Sequence, residues 1–354
     1  MWRWVGLGLG ALVLLAGGFV GRTLYLAGAF RSIEPHFAGT CELVRGAVGP
    51  EDLTVHPKTG VVYVAAYDRR AADRGERAGG GIYAYDPAQP SSGLVNVTPF
   101  APDTFRPHGL SLWVGDDGRG VLFVINHPPR ESGGPAHAVE VFDLVEGKLT
   151  PRSSIVDEAR LVMPNDLVAV GPDRFYLTNT HQNPPGRAQT IETYLQRPGA
   201  RVLFYDGDGF QDALVDRVFP NGINTSADGR SLYLAETTLA RLSIFDRDLD
   251  TGALALRREI DLGTGPDNIE VDASGQIWIG AHPKLLDVAA HRDDPATPAP
   301  AQVIRVSPTS GAVEEVYLNA GDQLSAASVA TLHDGHLLIG QILDDGILDC
   351  QLGS

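Results

Sequence analysis

The stretch MPNDLVAV, residues 163–170, sets a proline, an amide and a carboxylate ahead of an apolar run that has the look of a buried strand. The same grammar recurs as GPEDLTV from Gly49, RPHGLSL from Arg106, FPNGINT from Phe219 and GPDNIEV from Gly265. Aligned on its leucine or isoleucine, the motif gives Leu53, Leu110, Leu167, Ile223 and Ile269, and a degenerate copy, AASVATLHDGHLLIG, brings Val329 into register. The spacings of 57, 57, 56, 46 and 60 residues define an internal repeat.

Each copy runs through a turn into a second apolar segment, as in NTSADGR from Asn224 followed by SLYLA from Ser231, and then into ARLSIFDRD and ALRREID. That is the pattern of a four-stranded meander. Periods of this length with four short strands each predict an all-β fold, a six-bladed β-propeller around a central channel. A solenoid of similar period would carry helices, and the sequence shows almost none.

In a propeller the first strand of each blade lines the channel, so matching positions of the repeats meet at one end of it. Those positions hold Glu51, His108, Asn165, Asn221, Asp267 and Ala327, followed by Asp52, Gly109, Asp166, Gly222, Asn268 and Ser328. Pro50, Pro107, Pro164, Pro220 and Pro266 precede them and stiffen the start of each strand without leaving a donor unpaired. Any one Pro-Asn-Gly or Gly-Pro-Asp is an ordinary turn sequence. Five in register predict a ring of oxygen donors.

Carboxylates and amides packed together out of water are costly without a cation. All-oxygen donors, with no cysteine and no histidine-rich cluster, favour calcium over magnesium, whose strict octahedron suits fewer protein ligands. Charge counting suggests two ions, with Glu51 and Asp267 neutralising one and Asp52 and Asp166 the other.

A formal net charge of −16 without a Lys/Arg cluster argues against nucleic-acid binding. Residues 1–30 differ from the propeller expected over 31–354, because Trp4 to Val20 carries no charge and would span about 25 Å as a helix at ~1.5 Å per residue. This is an export signal or an uncleaved membrane anchor, so the protein is expected in a non-cytoplasmic compartment, membrane-attached, periplasmic or secreted. Ala27-Gly28-Ala29 offers a small-residue cleavage site, well past the apolar run. With export, Cys41 and Cys350 read as a disulfide, free buried thiols being the alternative. A bridge would close a loop of about 310 residues and stabilise by roughly 5 kcal/mol on the chain-entropy view, fastening the ring.

From about Cys41 to Cys350 the chain resembles the paraoxonase family, calcium-dependent lactonases and arylesterases built on six-bladed propellers. EDLTVHP, RPHGLSL, VINHPPR, MPNDLVAVGPDRFYLTN, NGINTSADGRSLYLAE, DNIEVDASGQIWIGAHP and SVATLHDGHLLIG carry the resemblance, with the terminal cysteines. It implies that Glu51, Asn165, Asn221, Asp267 and Asn268 hold a catalytic calcium. Asp52, Asp166 and the main-chain carbonyl of Leu110 would hold a deeper, structural one. His108 and His127 match a proposed histidine dyad, with His108 the candidate base and His127 its relay, and His181 and His282 match histidines near the substrate mouth. The expected reaction is hydrolysis of a lactone or aryl ester, with the metal as Lewis acid and oxyanion stabiliser.

Two departures fall on the lid. Residues 68–80, DRRAADRGERAGG, are charged where an aromatic-bearing flap is expected, and residues 182–200 carry fewer large apolar groups than the family's surface helix. Both put the family's substrate preference and lipoprotein-type docking in question. The rival readings are a single-metal, gluconolactonase-like propeller and a non-catalytic propeller whose calcium stiffens a channel for a ligand or partner. The second layer of Asp52 and Asp166 and the cysteine pair speak against the first, and loss of activity without His108 would speak against the second.

Overall fold

The computed structural model describes residues 2–76, 78–129 and 136–353, and the side chains of residues 2–9, 11 and 12 fall outside the description. Six antiparallel sheets form the blades of a propeller. Their innermost strands are Pro50–Val55, Pro107–Val114, Pro164–Ala169, Pro220–Thr225, Gly265–Val271 and Ala327–His333, and each packs against the innermost strands on either side, closing a ring. In five of the six, the strand begins at or beside the repeat proline, as the sequence leads one to expect.

The polar pairs sit where the ladder between the first and second strands slips. The register shifts between Pro50 and Asp52, Pro107 and Leu110, Pro164 and Leu167, Pro220 and Ile223, Pro266 and Ile269, and Ala327 and Val329. A bulge adds a residue to one strand and re-aims side chains, which is why polar residues precede an apolar strand: they belong to the channel. Bulk around the axis then has to alternate. A Cβ on Gly109 would fall 2.5 Å from the carbonyl oxygen of Asn165, and one on Gly222 would fall 2.3 Å from that of Asp267. Blades 2 and 4 therefore carry glycine where blades 1, 3 and 5 carry Asp52, Asp166 and Asn268.

Aliphatic residues of neighbouring blades make the core. Leu53 and Val64 of blade 1 join Val329, Leu338 and Ile347 of blade 6, and Leu242 and Ile244 of blade 4 join Ile269, Ile279 and Ile304 of blade 5. Each fully buried side chain of this size contributes about 1.5–3 kcal/mol relative to exposure.

Blade 6 is completed from the other end of the chain. Gly39–Val48 pairs with Asp345–Leu352 as its outermost strand, and Cys41 lies opposite Cys350 in that ladder. The two cysteines are joined in a disulfide, which settles the alternative of free thiols. His36–Phe37 adds a fifth strand to blade 5.

Helices are more frequent than the sequence suggests. An N-terminal helix, α1 (Trp2–Leu26), is followed by α2 (Arg69–Asp73), α3 (Arg187–Tyr194) and α4 (Leu285–Asp293). The last three are short and lie between the second and third strands of blades 1, 3 and 5, where local periodicity is too brief to read. Antiparallel pairing sets the end of each second strand beside the start of the first, as in Pro50 opposite Ala66 and Pro107 opposite Asn126. These connections therefore rim the channel end that carries the polar ring. The foot of α1 rests there as well, with the Leu285 N–H donating to the Ala27 carbonyl at 3.0 Å and Arg22 donating to Gln196 Oε1 at 2.8 Å. Among the described residues, which leave out the side chains of residues 2–9, 11 and 12 of α1, no helix is long and apolar enough to cross a membrane.

Candidate metal centre and active site

Two tiers of polar side chains occupy the axis. In the upper tier, Glu51 Oε2, Asn165 Oδ1, Asn221 Oδ1 and Asn268 Oδ1 are buried and have no hydrogen-bond partner among the described residues. The other atoms of these side chains are tied down. Asn221 Nδ2 donates to Asp267 Oδ1 and, at 3.0 Å, to Thr237 Oγ1; Asn268 Nδ2 donates to Glu51 Oε1 at 3.0 Å. His282 Nε2 sits 2.9 Å from Asp267 Oδ2. Buried polar atoms nearly always make a hydrogen bond, so four oxygens that make none among the described residues, grouped around one axis, call for a ligand that accepts oxygen donors.

Electrostatics point the same way. Burial opposes ionisation of Glu51, yet His108 and Arg69 outweigh it and hold its pKa at about 2. His108 Nε2 is 3.4 Å and Arg69 Nη2 3.6 Å from Glu51 Oε2. Burial raises the pKa of Asp267, with the contact to His282 opposing it. Among the described residues, no three His, Cys, Asp or Glu side chains cluster closely enough to hold a metal. The upper tier draws instead on two carboxylates and three amides.

The lower tier is satisfied differently. Asp52 accepts the N–H groups of Leu53 at 2.9 Å and Leu110 at 2.7 Å, and Asp166 accepts those of Leu167 and Ile223, each at 2.7 Å. Leu110 contributes its N–H to this tier, a group distinct from the carbonyl that the family resemblance implied as a ligand. Burial, followed by repulsion from Asp166 and Glu51, pushes Asp52 well above the usual carboxylate range. Burial also pushes Asp166 up, in spite of its two amide bonds.

The histidines separate into three settings. His108 and His127 meet edge to face, with Nε2 of His127 3.1 Å from Nδ1 of His108. Burial, then the neighbouring imidazoles, holds His127 well below the ordinary histidine range. His282 braces Asp267 from behind. His181 is buried against the Phe219 ring, with Nδ1 2.9 Å from Thr180 Oγ1 and Nε2 2.8 Å from Thr193 Oγ1 of α3.

Sequence reasoning passed over several residues that the fold brings to this centre. Arg69 lies within the charged stretch 68–80, but its side chain is only 3% exposed; its Nη1 donates to the carbonyl of Gly49 at 2.9 Å. Ser328, which the repeat alignment does place at the channel, donates through Oγ to the Glu51 carbonyl. Thr237 donates to the Pro266 carbonyl at 2.7 Å. Nothing in the repeat marks Arg69 or Thr237, since both stand after the second strand of their blades. Arg77 of the charged stretch and Arg130 of VINHPPR lie outside the described residues.

A propeller whose innermost strands converge on carboxylates, unpaired amide oxygens and a histidine pair defines a class of axial-site propeller proteins. Within that class, the chain belongs to the arylesterase family, whose profile matches residues 79–352. Family members are hydrolases of carboxylic esters. The chain is 30% identical over 340 residues to serum paraoxonase/arylesterase 2 of Gallus gallus, and 29% identical over 345 residues to serum paraoxonase/arylesterase 1 of Homo sapiens, with 92% of each chain covered in both comparisons. Among solved structures, the fold is similar to a gluconolactonase from Xanthomonas campestris (TM-score 0.55, 18% identity, covering 91% of this chain and 98% of that one). It is also similar to regucalcin, a calcium-binding protein from Agrobacterium tumefaciens (TM-score 0.52, 17% identity, covering 90% and 96%).

Proposed function

We propose that the protein is an exported, calcium-dependent hydrolase of lactones and aryl esters, working at the upper tier of the channel. The observation that carries this reading is the set of four buried oxygens without a hydrogen bond among the described residues, on Glu51, Asn165, Asn221 and Asn268. With Asp267 they offer an all-oxygen donor set of charge −2, which suits a divalent, hard cation. Bound there, calcium supplies a Lewis acid that polarises an ester carbonyl and stabilises the oxyanion.

The remaining chemistry falls to the chain's own side chains. His108 stands at the rim of the cage, 3.4 Å from Glu51 Oε2 and 3.5 Å from Asn165 Nδ2, with its side chain 17% exposed. From there it takes the proton of the attacking water through Nε2, while His127 holds its other nitrogen. His282 orients Asp267, and His181 fixes α3 at the substrate side. Lactones are the favoured substrates, because opening their ring leaves no separate fragment to depart.

Export agrees with the disulfide, since such bonds persist in oxidising compartments. Anchoring through α1, rather than release after cleavage, belongs to the same proposal. Asp52 and Asp166, with Leu110, would hold the second calcium. A single-metal version is favoured by one observation, that all four oxygens of the lower carboxylates already accept backbone N–H groups.

The test is hydrolysis of γ- and δ-lactones and of phenyl acetate by the purified protein, with and without a calcium chelator. Turnover that survives complete chelation sinks the reading. Metal analysis of the native protein then separates two calcium ions per chain from one.

A further inference from the structure

The hydrogen-bonded histidines do not end at His127. Nδ1 of His127 lies 2.7 Å from Nδ1 of His137, and the two rings meet edge to face at 4.8 Å between centroids. The placement follows from the hairpin. Asn126 is paired with Ala138 at the end of the ladder between the second and third strands of blade 2. His127 and His137 are the next residues outward, facing each other. Asn126 is paired on its other side with Pro107, which precedes His108. Three adjacent strands therefore present one histidine each, in a row that leads from the channel axis outward. Asn126 pins this row by accepting the Arg106 N–H at 2.9 Å and donating to Glu140 Oε1 at 2.9 Å.

We propose that His137 is the outer end of a three-histidine proton relay, which carries the proton taken up at His108 through His127 to the partly exposed imidazole at the rim. The proposal rests on the reading of His108 as base.

A neutral imidazole carries one N–H and one acceptor nitrogen. For His108 to accept a proton at Nε2, its Nδ1 must hold the hydrogen and donate to His127 Nε2. His127 then carries its hydrogen on Nδ1 and donates to His137 Nδ1. Burial supports this state by keeping His127 uncharged. When a proton arrives at His108 Nε2, the hydrogen on His108 Nδ1 passes to His127 Nε2. The hydrogen on His127 Nδ1 passes in turn to His137 Nδ1. One proton enters at the axis, one positive charge emerges on His137, and no charge stays on buried His127. Reversal of both shifts returns a proton to His108 for the departing alkoxide. Because His137 is part-exposed, its cationic form stays partly hydrated, which fits it for the outer position.

The experiment uses full-length, calcium-loaded protein, a δ-lactone and phenyl acetate, and the variants His137→Gln, His137→Ala, His127→Gln and His108→Gln. Glutamine keeps a hydrogen-bonding group but cannot pass a proton on. Both His137 variants should lose roughly tenfold to a hundredfold in kcat, with KM, calcium content and melting temperature unchanged. Imidazole in the buffer should restore His137→Ala towards wild type. His127→Gln/His137→Gln should be no slower than His127→Gln alone, because the pair acts as a unit.

Wild-type kcat in both His137 variants, beside an inactive His108→Gln, overturns the relay and leaves the base in place. A loss in kcat that imidazole does not rescue, or one accompanied by lower melting or calcium loss, also overturns it and makes His137 a prop. An active His108→Gln removes the base, and the relay with it.

Discussion

The two tiers of the channel are built from neighbouring residues of the same repeats, yet they solve opposite problems. Four upper-tier oxygens, on Glu51, Asn165, Asn221 and Asn268, are left without a hydrogen bond among the described residues, while lower-tier oxygens are met by the N–H groups of Leu53, Leu110, Leu167 and Ile223. A site that must exchange a ligand and polarise a substrate keeps open coordination. A site that ties blade to blade uses its carboxylates as staples, since Asp52 reaches from blade 1 to blade 2 and Asp166 from blade 3 to blade 4. On the proposed reading, one residue step along a bulged strand separates chemistry from architecture.

Four substitutions can break or sharpen this contrast. Asp267→Ala removes a carboxylate from the upper tier and should lower activity by more than the roughly hundredfold that loss of an outer partner costs. Calcium should be lost with it and the fold kept; an active variant that retains its metal refutes the assigned cage. Asp166→Ala should act chiefly on stability, because the N–H groups of Leu167 and Ile223 lose their acceptor at about 1–3 kcal/mol each. Denaturant unfolding measures that cost, and a fall in activity with unchanged stability would reverse the roles of the tiers.

Cys41→Ser should destabilise by about 2–5 kcal/mol while leaving kcat of the folded protein alone. Unchanged melting would remove the ring-fastening role. His282→Gln, the mildest, should weaken calcium binding by roughly ten- to a hundredfold through the orientation of Asp267. Calcium titration followed by recovery of activity checks it, and wild-type affinity would make His282 a bystander to the metal.

Much of this architecture was legible because the repeat is periodic. Glu51, Asn165, Asn221 and Asp267 stand at one register position, and a single alignment locates them all. Gly109 and Gly222 were visible as letters, but their necessity emerges only where a Cβ would strike the next blade. Arg69 and His137 were not legible as site residues. Each stands in a connection whose path depends on neighbouring blades, and no spacing rule links Arg69 to Glu51 across the fold or orders three imidazoles along one blade. The participation of Gly39–Val48 in blade 6 was equally hidden, since nothing in that segment names its partner strand.

That last pairing governs how the chain is made. Blade 6 draws its outer strand from the first fifty residues and its other three from the last thirty, so no ribosome can present it whole until synthesis is finished. Until then the waiting N-terminal segment is an unsatisfied sheet edge, open to pairing with other chains. The bond between Cys41 and Cys350 then makes assembly hard to reverse, and a chain shortened at either end would be left as an open crescent.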